Sequence, residues 1–137
     1  MKKIFFILIL LSNIVFAQTS KTTWKLYNGN KVVAKGVAGK QKEFLVSNKN
    51  KALLKLKCYP SINLKKWLNT LIIMDTNRVE LARKNIETSD NGLVIKKEYL
   101  DSNKKILCYI SSKPLDPKLA ARVRVGTVLL ITIKLLN

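Results

Sequence analysis

Along most of this chain apolar and polar side chains alternate with period two, and turn-forming residues interrupt the alternation at short intervals. Successive side chains of an extended strand point to opposite faces, so this pattern describes half-buried strands and not helices. The longest run is Val123–Leu135, where the odd positions are Val, Val, Thr, Leu, Ile, Ile, Leu and the even ones include Arg124, Gly126, Thr132 and Lys134. Val128 and Leu130 also make its middle apolar on the other side, which predicts a strand covered on both faces. Shorter runs repeat the theme. Trp24 and Leu26 share a face, as do Phe44 and Val46, and Ile106, Cys108 and Ile110. In 51–59 Ala52, Leu54, Leu56 and Cys58 lie opposite Lys55 and Lys57. Residues 69–75 (NTLIIMD) are apolar on both faces, as in a central strand.

The punctuation agrees. Asn28-Gly29 is a strong hairpin signal. Asp75-Thr76-Asn77, Ser89-Asp90-Asn91-Gly92 and Asp101-Ser102-Asn103 are turn clusters in which the Asp side chain caps its own backbone. Helix is scarce. Asp116 before Pro117 is an N-cap followed by proline at the first helical position, enough for a turn or two. Residues 61–68 are a second candidate for a short helical turn. Residues 78–86 suit a strand through Val79 and Leu81, although Glu80 and Lys84 would also pair on a helix. Leu93–Tyr99 reads as a further strand. The expected fold is mostly β: an antiparallel β-sandwich, Ig-like or a small Greek key, with one or two short helical turns.

The first seventeen residues stand outside this pattern. Lys2 and Lys3 precede an apolar stretch, Ile4–Phe16, that ends at Ala17. This is the layout of a secretory signal peptide, and the stretch is shorter than the roughly 20 residues a spanning helix requires. The expected organisation is a signal peptide over 1–17 and a single β-sandwich domain over 18–137, exported to the periplasm or beyond, with no transmembrane segment in the mature chain. Removing 17 of 137 residues leaves 120, enough for one modest core.

Export gives the two cysteines a role. Cys58 and Cys108 fall on the inward parity of separate strands, which predicts one disulfide across the core. With Trp67 between them, the arrangement resembles an immunoglobulin-type sandwich. That fold carries a tyrosine two residues before its second cysteine, where this chain has Ile106.

Composition restricts the chemistry. There is no histidine, which removes Ser-His and Cys-His nucleophilic catalysis and imidazole metal sites. Most of the eight acidic residues have structural uses in turns and caps. No catalytic residue, metal site or cofactor is expected, and an enzyme would have to be a glycan-active one working by a carboxylate pair.

The basic excess is large: 26 Lys and Arg against 8 Asp and Glu, a formal charge of +18 that falls to +16 without Lys2 and Lys3. Such a field favours anionic partners. Lys55, Lys57 and Tyr59 project from one strand and Arg122 and Arg124 from another, so neighbouring placement of those strands would create a stripe for an anionic ligand. Two partners are expected on these grounds: an anionic envelope polymer (acidic glycan, lipopolysaccharide or nucleic acid), or another envelope protein captured by the apolar C-terminal strand.

Overall fold

A computed structural model describes residues 22–47, 53–61, 66–87, 90–122 and 126–136. The segment read as a signal peptide, 1–17, lies outside them, as do Arg124 and residues 62–65 of the 61–68 turn, whose end (Trp67, Leu68) belongs to a strand.

Nine strands and two short helices follow in the order β1 (Thr23–Asn28), β2 (Lys31–Val37), β3 (Glu43–Val46), β4 (Leu54–Tyr59), β5 (Trp67–Met74), β6 (Glu80–Asn85), β7 (Gly92–Val94), α1 (Lys97–Asn103), β8 (Lys105–Pro114), α2 (Pro117–Ala120) and β9 (Gly126–Leu135). They form a four-stranded sheet, β2-β1-β4-β7, and a five-stranded sheet, β3-β9-β8-β5-β6. The expected β-sandwich is the observed fold. Each pairing is antiparallel except β3 with β9, which is parallel. The chain changes sheets between β2 and β3, β3 and β4, β4 and β5, β6 and β7, and β7 and β8. Among the described residues no helix is long and apolar enough to cross a membrane.

The alternation places the core. Trp24, Leu26, Leu54, Leu56 and Cys58 come from the smaller sheet, and Leu71, Ile73, Ile106, Cys108, Ile131 and Ile133 from the larger. Each fully buried Leu or Ile contributes about 1.5–3 kcal/mol of transfer free energy. In β9 the register with β8 slips between Cys108 and Tyr109: Cys108 pairs Ile131 and Tyr109 pairs Leu129, leaving Leu130 unmatched. This bulge explains why adjacent Leu130 and Ile131 are both fully buried.

The C-terminal strand has β8 on one side and β3 on the other. Residues 132–135 of β9 are thus paired on both sides, and that part of the strand is not a free edge that would add to a partner's sheet.

Local chemistry explains the turns. The β1–β2 hairpin turns on Gly29 and Asn30, with Asn28 still paired to Lys31 and positive φ at Gly29 (61°). Glycine at the first central position is the II′ requirement. After β5, Asp75 Oδ1 accepts the backbone N–H of Asn77 at 2.8 Å and of Val79 at 2.9 Å. Asp116 caps α2 by accepting Lys118 N–H at 3.0 Å.

Two expectations are corrected. The strand read over Leu93–Tyr99 ends at Val94, and α1 follows, reaching through the proposed Asp101-Ser102-Asn103 turn to a left-handed Lys104 (φ 59°). Helix α1 has no side-chain cap and buries only Leu100, so neither a capping motif nor an apolar stripe announced it. The second correction is the disulfide: Cys58 and Cys108 are free, buried thiols. Inward parity was right for both. A disulfide also needs the two Cβ atoms to face each other at close range, and strand parity fixes only the side of the sheet on which each lies. Cys58 sits opposite Trp24, and Cys108 between Ile73 and Ile131. The buried tryptophan beside a cysteine is thus Trp24, while Trp67 is only half-buried.

Candidate anionic-ligand face

Lys55, Lys57 and Tyr59 lie together on the outer face of β4, because Leu54, Leu56 and Cys58 take the inner face. Strand β1 does the same: Trp24 and Leu26 point inward, and Thr23, Lys25 and Tyr27 point outward. The antiparallel register matches Tyr59 with Thr23, Lys57 with Lys25, and Lys55 with Tyr27. On the other side of β1, Lys25 pairs Lys35 of β2. Lys57, Lys25 and Lys35 therefore form a row across three strands, with neighbouring strands about 4.8 Å apart.

Like charges directly opposite each other on a sheet are destabilising. The ammonium groups answer this by leaning in opposite directions. Lys25 Nζ lies 5.7 Å from the centre of the Tyr59 ring, and Lys57 Nζ lies 5.1 Å from that of Tyr27. Each such cation–π contact contributes about 0.5–1 kcal/mol at an exposed site. Interaction with the Tyr59 hydroxyl raises the Tyr27 phenol above its ordinary pKa. Gly92 of β7 pairs Lys57, and the Lys55 side chain reaches over it, where a Cβ would collide with the Lys55 Cε.

No acidic side chain projects from the outward positions of β1, β2 or β4. At the rim, Asp90 is held by Lys84, whose Nζ lies 2.6 Å from Oδ2. That hydrogen bond, with the Gly92 N–H and the charges of Lys84 and Lys55, lowers its pKa. The face thus combines Lys25, Lys35, Lys55 and Lys57 with Tyr27 and Tyr59. Beside β2 it continues into a concavity of about 530 Å³ lined by Lys25, Val32, Val33, Ala34, Lys35 and Lys42.

Of the residues grouped from the sequence, the structure brings together Lys55, Lys57 and Tyr59 of β4. Arg122 is exposed in the connection between α2 and β9, and β9 belongs to the other sheet. Strand β4 neighbours β1 and β7, so the expected stripe joining Arg122 to Lys55 and Lys57 does not form. The residues that complete the face, Lys25, Tyr27 and Lys35, carried the same outward parity as Lys55 and Lys57. Their neighbourhood is set by long-range pairing, on which local alternation is silent. Among the described residues no group of three or more acidic or cysteine side chains is placed to hold a metal ion.

No protein-family model, curated protein or solved structure matches this chain.

Proposed function

We propose that this chain is an exported, non-catalytic binding protein of the cell envelope, and that the outer face of β2, β1 and β4 takes an anionic polymer. Export rests on the basic, apolar and small-residue layout of Met1–Ala17. The observation that carries the binding reading is the Lys57–Lys25–Lys35 row, three like charges in register on one face. Such a row carries a repulsion that a bound anion relieves, so binding there gains both the direct attraction and the lost repulsion.

The tyrosines narrow the ligand. Base stacking on single-stranded nucleic acid requires open ring faces. Here Tyr59 and Tyr27 each already have a lysine ammonium over the ring. An acidic glycan, whose charges can be met by lysines without stacking, fits better. The lack of histidine removes Ser-His and Cys-His nucleophilic catalysis.

The test compares wild type with Lys25→Gln/Lys55→Gln/Lys57→Gln and with Lys97→Gln/Lys113→Gln/Lys118→Gln, a control that removes the same charge elsewhere. Affinity for a soluble polyuronate is measured across a salt series. The face variant is expected to bind at least about tenfold more weakly and with a shallower salt slope, while the control stays within about twofold of wild type. Equal losses in the two variants would reduce the effect to net charge and refute the reading. Tighter binding to oligonucleotide than to polyuronate would replace the glycan with nucleic acid.

A further inference from the structure

We infer that the cleft at the β2 edge is a separate binding site for a small carboxylate on a short apolar stem. The cleft holds about 260 Å³ and is lined by Trp24, Gly36, Val37, Lys40, Gln41 and Lys42. Its chemistry is uneven in an informative way. Val37 and the indole supply apolar wall. The polar groups are two ammoniums and an amide, and none of the lining residues is acidic.

The deciding group is the indole N–H of Trp24. Trp24 is 1% exposed, and its Nε1 has no hydrogen-bond partner among the described residues. A buried donor left unpaired costs about 1–3 kcal/mol, and buried Trp N–H groups usually find an acceptor. An oxyanion in this cleft supplies that acceptor, with Lys40 and Lys42 as counter-charge.

Gly36 keeps the space beside the indole clear. It pairs directly with Trp24 across the strands, and a Cβ there would stand 3.1 Å from Nε1. Lys42 covers the ring: its Nζ lies 5.7 Å from the ring centre and donates to the Lys35 carbonyl at 2.6 Å. Lys42 is an exposed side chain on the β2–β3 connection. Exchanging the Lys35 carbonyl for a carboxylate replaces a neutral acceptor by a charged one and adds ion-pair attraction to the hydrogen bond. Lys42 thus acts as a strap that opens onto the ligand and then holds it.

The site is set apart from the polymer face by Trp24 and Lys40, which line the cleft and not the concavity beside β2, whereas Lys42 lines both. The test is titration of the ¹⁵N-labelled protein with sodium propionate at constant ionic strength, following the indole N–H resonance of Trp24, identified by its persistence in Trp67→Phe. A saturable downfield shift, absent with sodium chloride, is expected. Lys42→Met should weaken it about tenfold, the loss of one charge-assisted hydrogen bond. Lys25→Gln/Lys55→Gln/Lys57→Gln should leave it unchanged, whatever that variant does to polyuronate binding. A drift matching that in chloride, or an identical titration in Lys42→Met, would overturn the inference.

Discussion

Replacing Gly36 with alanine places one methyl group against the most buried aromatic ring of the smaller sheet. The new Cβ would stand 2.7 Å from Trp24 Cζ2 and 3.0 Å from Cε2. Carbon atoms in favourable contact are about 3.5–4.0 Å apart, so the indole or the edge strand must move by roughly an ångström. Trp24 is 1% exposed and cannot retreat into solvent without uncovering its ring. Overpacking of this kind costs about 1–3 kcal/mol. Alanine also restricts the unfolded chain, which returns about 0.4–1 kcal/mol. The net expectation is a loss of about 1–2 kcal/mol. Gly92→Ala is the internal control: its Cβ meets the far end of Lys55, a flexible side chain that swings aside, so only the entropic gain remains. Urea unfolding followed by tryptophan fluorescence separates the two. With m of about 1–3 kcal/mol/M, the Gly36→Ala midpoint should fall by about 0.3–2 M at unchanged slope, and the Gly92→Ala midpoint should hold or rise. A Gly36→Ala protein as stable as wild type would show that the indole does not lie against this strand, and the geometry of the β2-edge cleft would fall with it.

Other predictions concern the thiols and the β5–β6 turn. Burial raises the pKa of Cys58 and of Cys108 to about 12, so a thiol-specific disulfide reagent should leave the native protein unmodified at neutral pH and label both sulfurs in denaturant. Unfolded thiols ionise near pH 8.5, so above that pH the unfolded chain holds fewer protons than the folded one. Stability should therefore fall as pH rises from about 8.5 toward 12, and Cys58→Ala/Cys108→Ala should flatten that fall. A denatured protein with no titratable thiol would restore the disulfide. Asp75→Ala removes the acceptor of two backbone N–H groups and should cost about 0.5–2 kcal/mol in urea unfolding. Asp75→Asn keeps a side-chain oxygen at the same place and should retain most of that stability, whereas a role for the negative charge in cation binding would make both substitutions equally damaging.

Which side chains face outward was readable strand by strand, because a period of two needs only local sequence. Leu54, Leu56 and Cys58 inward and Lys55, Lys57 and Tyr59 outward are read from nine consecutive residues. Which strands lie side by side was not readable in the same way. The pairing of β1 with β4 and the parallel pairing of β3 with β9 join segments far apart in the chain, and alternation carries no label for the partner. Lys25 and Tyr27 were therefore visible as outward residues but not as neighbours of Lys57 and Tyr59, and Arg122 was grouped with a sheet to which its flanking strands do not belong. The cysteines illustrate the same limit: parity reports the side of the sheet, and a bond requires a distance. Helix α1 escaped for a different reason, since seven residues with one buried leucine and no cap carry neither periodicity nor a start signal. The slip in β9 hid in plain view. Apolar residues on both sides of that strand reflect both full coverage and a bulge that turns adjacent Leu130 and Ile131 inward.

Mapping amide and side-chain resonances at saturating polyuronate tests most directly whether a particular face, and not diffuse charge, carries binding. Shifts confined to Lys25, Tyr27, Lys35, Lys55, Lys57 and Tyr59 and their immediate neighbours are the expected footprint. Shifts spread evenly over the lysines of both sheets, or centred on the α2–β9 connection around Arg122, would contradict it.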